Sequence, residues 1–254
     1  MKPLRPFSLG ILSAAMIAAA PALPTAALAE VPVIVLINPN SNADATKGMA
    51  DLARGVAGDR ATIVERTNTG VPALLTTPED MVNATEGVAG IGQQVATEPG
   101  VAAIIVSAFS DPGLPRNCAN PCRMSWHPAL ARRRFTQPPG CRSASIVTIT
   151  PDEGLIESFR LQAEELGYAG QYRGVTVTEG DPKELVKDAD ALDAALTGAV
   201  ERSIANDGVQ AIIMGGGPLS GPAMRIQDKF EVPLVIAVAA ATRAALDGIA
   251  AKAE

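Results

Sequence analysis

Residues 31–42 read VPVIVLINPNSN. Val33 to Ile37 is unbroken apolar sequence, and the polar Asn-Pro-Asn-Ser-Asn that follows ends it abruptly. A run of this length and composition is the signature of a strand buried on both faces, as in a parallel sheet covered by helices. The pattern recurs along the chain. Strands are expected at 61–66, 101–106, 145–150, 175–178, 211–214 and 234–238. Helices are expected between them at 44–56, 78–97, 152–166, 182–206, 218–229 and 242–252. Thr77-Pro78-Glu79-Asp80 combines a cap residue, proline at the first helical position and acids in the first turn. Gly167 is a helix stop. Strands alternating with helices of this length imply βαβ units.

The two halves match in outline. Each opens with a strand ending in a polar loop (INPNSN, VTITPD) and later has a strand ending in a small-residue loop (VSAFSDPG, MGGGPLSG). The fold class expected is therefore α/β, with two similar parallel-sheet lobes and a ligand cleft between them. The first lobe is assigned to residues 30–114 and the second to 144–254, the chain's end packing back on the first. Ligands of open parallel sheets bind outside the carboxyl ends of strands, where these four loops lie. The candidate binding residues are Asn40, Ser41, Ser107, Phe109, Ser110, Thr148, Thr150, Gly216 and Gly217. Asn40, Ser41, Thr148 and Thr150 suit hydrogen bonds to a carboxylate or amide, although Ser, Thr and Asn also cap helices and form turns. The glycines before a helix can offer backbone N–H groups to an anion. They lack the Lys-Ser/Thr of a phosphate-binding loop and the dinucleotide spacing, which excludes nucleotide binding.

Composition narrows the partners. The net charge of −6 gives nucleic-acid binding no support. Residues 1–29 carry Lys2 and Arg5, an apolar run over 7–20, and Ala27-Leu28-Ala29 before Glu30. That is a secretory signal with a small-x-small cleavage site after Ala29, which places the mature protein in the periplasm or outside the cell. The alternatives are an uncleaved anchor, disfavoured by Pro21 and Pro24, and a start codon set too far upstream, which would leave a cytoplasmic protein. The expected partner is a small carboxylate or imide, with no nucleic acid and, after cleavage, no membrane. Homo-oligomerisation is left open.

Ile37-Asn38-Pro39-Asn40-Ser41-Asn42, Ala108-Phe109-Ser110-Asp111-Pro112-Gly113-Leu114 and Val147-Thr148 resemble the aspartate/glutamate/hydantoin racemase superfamily, nearest its hydantoin racemase branch. The resemblance covers nearly all of the mature chain except 115–143. It implies racemisation without a cofactor, by two cysteines that face each other across the substrate's α-carbon. The positions implied for those cysteines are Ala108 and Gly216 here, and neither side chain can carry a proton. Ser107, Ser110 and Ser220 are nearby, but an unassisted serine is a poor base for a carbon acid. Asp111 is the one carboxylate in these loops near the first position, and its plain reading is an Asp-Pro turn. The resemblance thus carries the scaffold and cradle to this chain and leaves the catalytic residues unknown.

Residues 115–143 break the pattern. They hold Cys118, Cys122, Cys141, His127 and Trp126, and no Asp or Glu. Four potential zinc ligands lie here, but their spacing departs from the short-finger patterns, and no metal is assigned. Cys118 and Cys122 permit a disulfide in an exported protein. A pair of compensating frameshifts explains more. If Arg116 to Asn120 is encoded CGG AAC TGC GCG AAC, the neighbouring frame contains GAA CTG CGC GAA, which is Glu-Leu-Arg-Glu. GC-leaning codons carry that frame on to Pro-Val-Pro-x-Val-Val and then to Ala-Ala-Ala-Val-Tyr-Ala. These are the strand and helix that the alternation asks for at this point.

Overall fold

The computed structural model describes residues 30–108 and 142–253, so Phe109, Ser110, Asp111, the three cysteines and His127 lie outside the described residues. β1 (Val33–Asn38), α1 (Ala43–Ala57), β2 (Thr62–Thr67), α2 (Pro78–Val95) and β3 (Val101–Val106) make the first lobe. β4 (Ala144–Thr148), α3 (Glu153–Glu165), β5 (Tyr172–Val177), α4 (Pro182–Leu185), α5 (Ala189–Asp207), β6 (Ala211–Met214), α6 (Ser220–Ile226) and β7 (Leu234–Val235) make the second. The final helix, α7, spans Ala237–Ala253.

Both sheets are parallel, in orders β2-β1-β3 and β5-β4-β6-β7. In each lobe the first strand is central, the second lies on one side and the third on the other. Every strand therefore points its carboxyl end the same way within its sheet, and the loops that follow the central and third strands lie side by side.

The apolar run of β1 is buried as its composition requires. Ile34 and Leu36 face α1 and α7 with Met49, Ala53, Ala241 and Ala245. Val35 and Ile37 face the other way, onto Val88 and Val95 of α2. Alternate residues thus serve two cores. β4 repeats this, with Ile146 packed on Phe159 of α3 and Val147 on Leu196 and Val200 of α5. Each fully buried aliphatic side chain contributes about 1.5–3 kcal/mol. α7 joins the lobes: Val238 and Ala241 belong to the first core, Ala239 and Ala240 to the two cores of the second sheet.

Three elements differ from the sequence expectation. The helix expected over 182–206 is two helices, because the Asp188 side chain caps a new start by accepting from the N–H groups of Asp190 and Ala191. The strand expected over 234–238 has only Leu234 and Val235 in the ladder. The last helix begins at Ala237, five residues before Thr242; the Thr242 hydroxyl donates to the Val238 carbonyl within the helix and does not cap it. No described helix is long and apolar enough to cross a membrane.

Candidate functional site

The carboxyl ends of the two sheets face one cleft. Pro39 and Asn40 enter it after β1, Ser107 and Ala108 after β3, Thr148 to Thr150 at the end of β4, and Gly215 to Leu219 after β6. Its space is about 620 Å³, the open mouth included. Of the residues expected at the site, Asn40, Ser107, Thr148, Thr150, Gly216 and Gly217 line it, and so does Ala108. Ser41 is adjacent but outside the lining, and its N–H donates to the Pro72 carbonyl at 3.2 Å. Phe109, Ser110 and Asp111 fall outside the described residues.

A buried amide network fixes the first loop. Asn38 is fully buried, and its Nδ2 donates to Asn40 Oδ1 at 2.8 Å, to Thr46 Oγ1 at 2.9 Å and to the Asn42 carbonyl at 3.1 Å. The Asn42 N–H donates to the same Asn40 Oδ1 at 3.0 Å. Two donors on Oδ1 set which way the Asn40 amide lies, and its Nδ2 has no acceptor among the described residues. Asn40 therefore brings a donor to the cleft. Asn42 also caps α1 by accepting from the Ala45 N–H.

On the second lobe the Thr148 hydroxyl is engaged. It donates to the Gly215 carbonyl and accepts from the Thr150 N–H, both at 3.3 Å. This ties the β4 loop to the glycine loop. The Thr150 hydroxyl has no partner among the described residues. The Ser107 hydroxyl at the edge of the cleft is engaged: its Oγ donates to Met49 Sδ at 2.9 Å, and its N–H donates to the Ile37 carbonyl. A Cβ on Gly217 would lie 2.0 Å from Ser107 Oγ, so only glycine admits this close approach of the two loops. Gly216 has φ of 154° and ψ of 142°, a backbone conformation open essentially to glycine alone.

The rest of the wall is apolar: Leu74, Leu75 and Met81 from the first lobe, Ile149, Leu155 and Phe159 from the second. Two caps hold it in place. Thr77 and Asp80 form a capping box at the start of α2, just before Met81, and Asp152 caps α3 by accepting from the Leu155 N–H at 3.0 Å. The Thr76 backbone N–H, first among its donors, holds the Asp80 carboxyl below the usual carboxylate range. Sequence reasoning missed this apolar wall. The signal was present in Leu74-Leu75, a pair of large apolar residues within a loop between Pro72 and Thr77, where a purely connecting loop would be polar.

No ionisable side chain lines the cleft among the described residues, nor do those residues gather three His, Cys, Asp or Glu side chains that could hold a metal. A larger, open groove runs along β7 and α1, past Leu52, Val56, Met224, Leu234 and Arg243.

Two parallel-sheet lobes with a cleft at their strand ends define a two-lobed α/β protein with a ligand-sized site. The Asp/Glu/Hydantoin racemase family model matches residues 34–245, and the chain belongs to that family. No curated protein matches it. Among solved structures it is similar to allantoin racemase from Klebsiella pneumoniae, at 21% identity over 87% of this chain and 89% of that one, with a TM-score of 0.71. Allantoin racemase from Pseudomonas fluorescens gives 19% identity over 87% and 92%, with a TM-score of 0.71. Glutamate racemase from Francisella tularensis in complex with D-glutamate gives 10% over 88% and 82%, with a TM-score of 0.59. At these identities the likeness shows a common fold.

Proposed function

We propose that the protein is a racemase-type isomerase that acts on an amino acid or a cyclic amino-acid derivative by cofactor-independent proton transfer at the α-carbon. The observation that carries this reading is the family match across both lobes, with the cleft at the strand ends where such a site belongs. A second reading has its own support. Ala108 and Gly216 stand where the resemblance implies thiols, and no described lining side chain can exchange a proton near neutral pH. On that reading the cleft binds the ligand and leaves it unchanged, as an exported binding or accessory protein. Incubating the mature protein in heavy water with enantiopure hydantoins and amino acids separates the two. Deuterium at the α-carbon means isomerase; thermal stabilisation without exchange means binding alone. Neither exchange nor stabilisation would contradict both. Export rests on the three-part pattern of residues 1–29.

A further inference from the structure

The two lobes are fixed to each other on more than one side of the cleft. Within its lining, Gly217 meets Ser107 with no room for a methyl group. Where the helices that carry Met81 and Leu155 begin, Gly154 of α3 meets Pro78 of α2: a Cβ on Gly154 would lie 2.7 Å from Pro78 Cγ. Leu52 and Val56 of α1 pack on the second core, and α7 contributes to the cores of both lobes. Turning one lobe against the other would disrupt all of these contacts together, and close-packed contacts resist such movement.

One wall is built differently. Residues 69–75 lie between β2 and α2 without helix or strand, and this strap carries Leu74 and Leu75 into the cleft lining. Its two ends are pinned. Before it, the Asn68 N–H donates to the Asn38 carbonyl at 3.0 Å, and Asn68 Nδ2 donates to the Pro39 and Ala84 carbonyls, both at 3.2 Å. After it, the Thr76 and Thr77 N–H groups donate to the Asp80 carboxylate at 2.8 and 3.1 Å. Between the pins, one backbone hydrogen bond among the described residues reaches the strap, from the Ser41 N–H to the Pro72 carbonyl. Its hold on the second lobe is apolar. Half-buried Leu74 packs against the core whose Ile149 and Leu219 also line the cleft, and Leu75 beside it is buried. Few backbone hydrogen bonds and little buried apolar surface mark a segment that opens before the rest of the fold. We propose that residues 69–75 form a gate: the strap swings on Asn68 and Thr76 while the lobes stay fixed, and Leu74 is its latch on the second lobe. As a gate for a ligand, the strap rests on the proposed reading of the cleft as a small-molecule site.

Thiol labelling of the full mature chain with iodoacetamide, read peptide by peptide by mass spectrometry, tests the motion without a ligand. Leu75→Cys reports opening of the strap, and Ser145→Cys, fully buried in β4, reports unfolding of the whole. When reclosing outpaces labelling, each rate follows the population of its open form. The Leu75→Cys thiol is expected to react at least about tenfold faster than the Ser145→Cys thiol. Urea below the melt barely changes the first rate, because a small opening exposes little surface, and raises the second steeply. Adding Leu74→Ala speeds labelling of Leu75→Cys about tenfold, the factor that losing part of one leucine's burial gives. Pro78→Cys with Gly154→Cys, oxidised to a disulfide that ties the lobes together, leaves the Leu75→Cys rate within about twofold. Three results overturn the proposal: a Leu75→Cys rate that matches Ser145→Cys in size and urea dependence, a disulfide that suppresses labelling of Leu75→Cys, or Leu74→Ala without effect on it. Each of them leaves the proposed function standing, which the exchange in heavy water tests separately.

Discussion

Ser107 and Gly217 touch across the seam between the lobes: a single methyl group on Gly217 would stand 2.0 Å from Ser107 Oγ and 2.5 Å from the Ser107 carbonyl oxygen. Met49 Sδ, the acceptor of that hydroxyl, would lie 2.9 Å away. One contact thus gathers α1, the end of β3 and the glycine loop after β6. Gly217→Ala forces these apart and is expected to lower stability by about 1–3 kcal/mol, as overpacking does. Ser107→Gly does not rescue it, because the carbonyl clash remains. Denaturant melts of the two variants check this; an alanine variant as stable as the native chain would refute the contact.

Helix α2 carries Met81 into the cleft from a capping box. Asp80→Ala removes the acceptor for the Thr76 and Thr77 N–H groups and is expected to cost about 1 kcal/mol at pH 7, solvent screening keeping it modest. The native Asp80 pKa is lowered, so its contribution is present above the unfolded carboxylate pKa of about 3.9 and is lost as pH falls through the folded value. The stability gap between native and variant should therefore close on acidification, which urea melts from pH 7 to pH 2 would reveal.

Thiols can be returned to the two positions the resemblance implies, with unequal results. Ala108 is buried and follows a strand, so Ala108→Cys adds one sulfur and is expected to shift stability by less than about 1.5 kcal/mol. Gly216→Cys places a side chain on a backbone with φ of 154° and is expected to cost about 1–3 kcal/mol. Thermal melts rank the two; equal tolerance would mean that the glycine loop readjusts freely.

Two readings of the sequence are settled outside the fold. Mass spectrometry of the exported protein should find Glu30 at its amino terminus, whereas an intact residue 1–29 segment contradicts cleavage after Ala29. An independent read of the DNA encoding residues 111–151 should show one missing and one extra base. If the sequence stands unchanged, the cysteines are genuine, and zinc content and thiol state become the next measurements.

The sheets were legible in the sequence because their residues leave few alternatives. Val101 to Val106 and Ala211 to Met214 are apolar throughout and bounded by turn residues, and both strands fall at the expected bounds. The last helix was harder. Ala237 to Ala241 suits a helix as well as a strand end, and tertiary packing between both lobes decides it. The polar half of the cleft was visible as loops at strand ends. The apolar half was hidden, because Leu155 and Phe159 read as ordinary core positions of α3, and only the meeting of the lobes turns them toward a cavity.

The central claim is that a small ligand sits between the lobes at the strand ends. Amide hydrogen exchange read by mass spectrometry, with and without saturating 5-benzylhydantoin, tests it most directly. The account predicts slowed exchange in residues 40–42, 149–155 and 215–219. Protection confined to the groove along β7 and α1, or no protection anywhere, would contradict it.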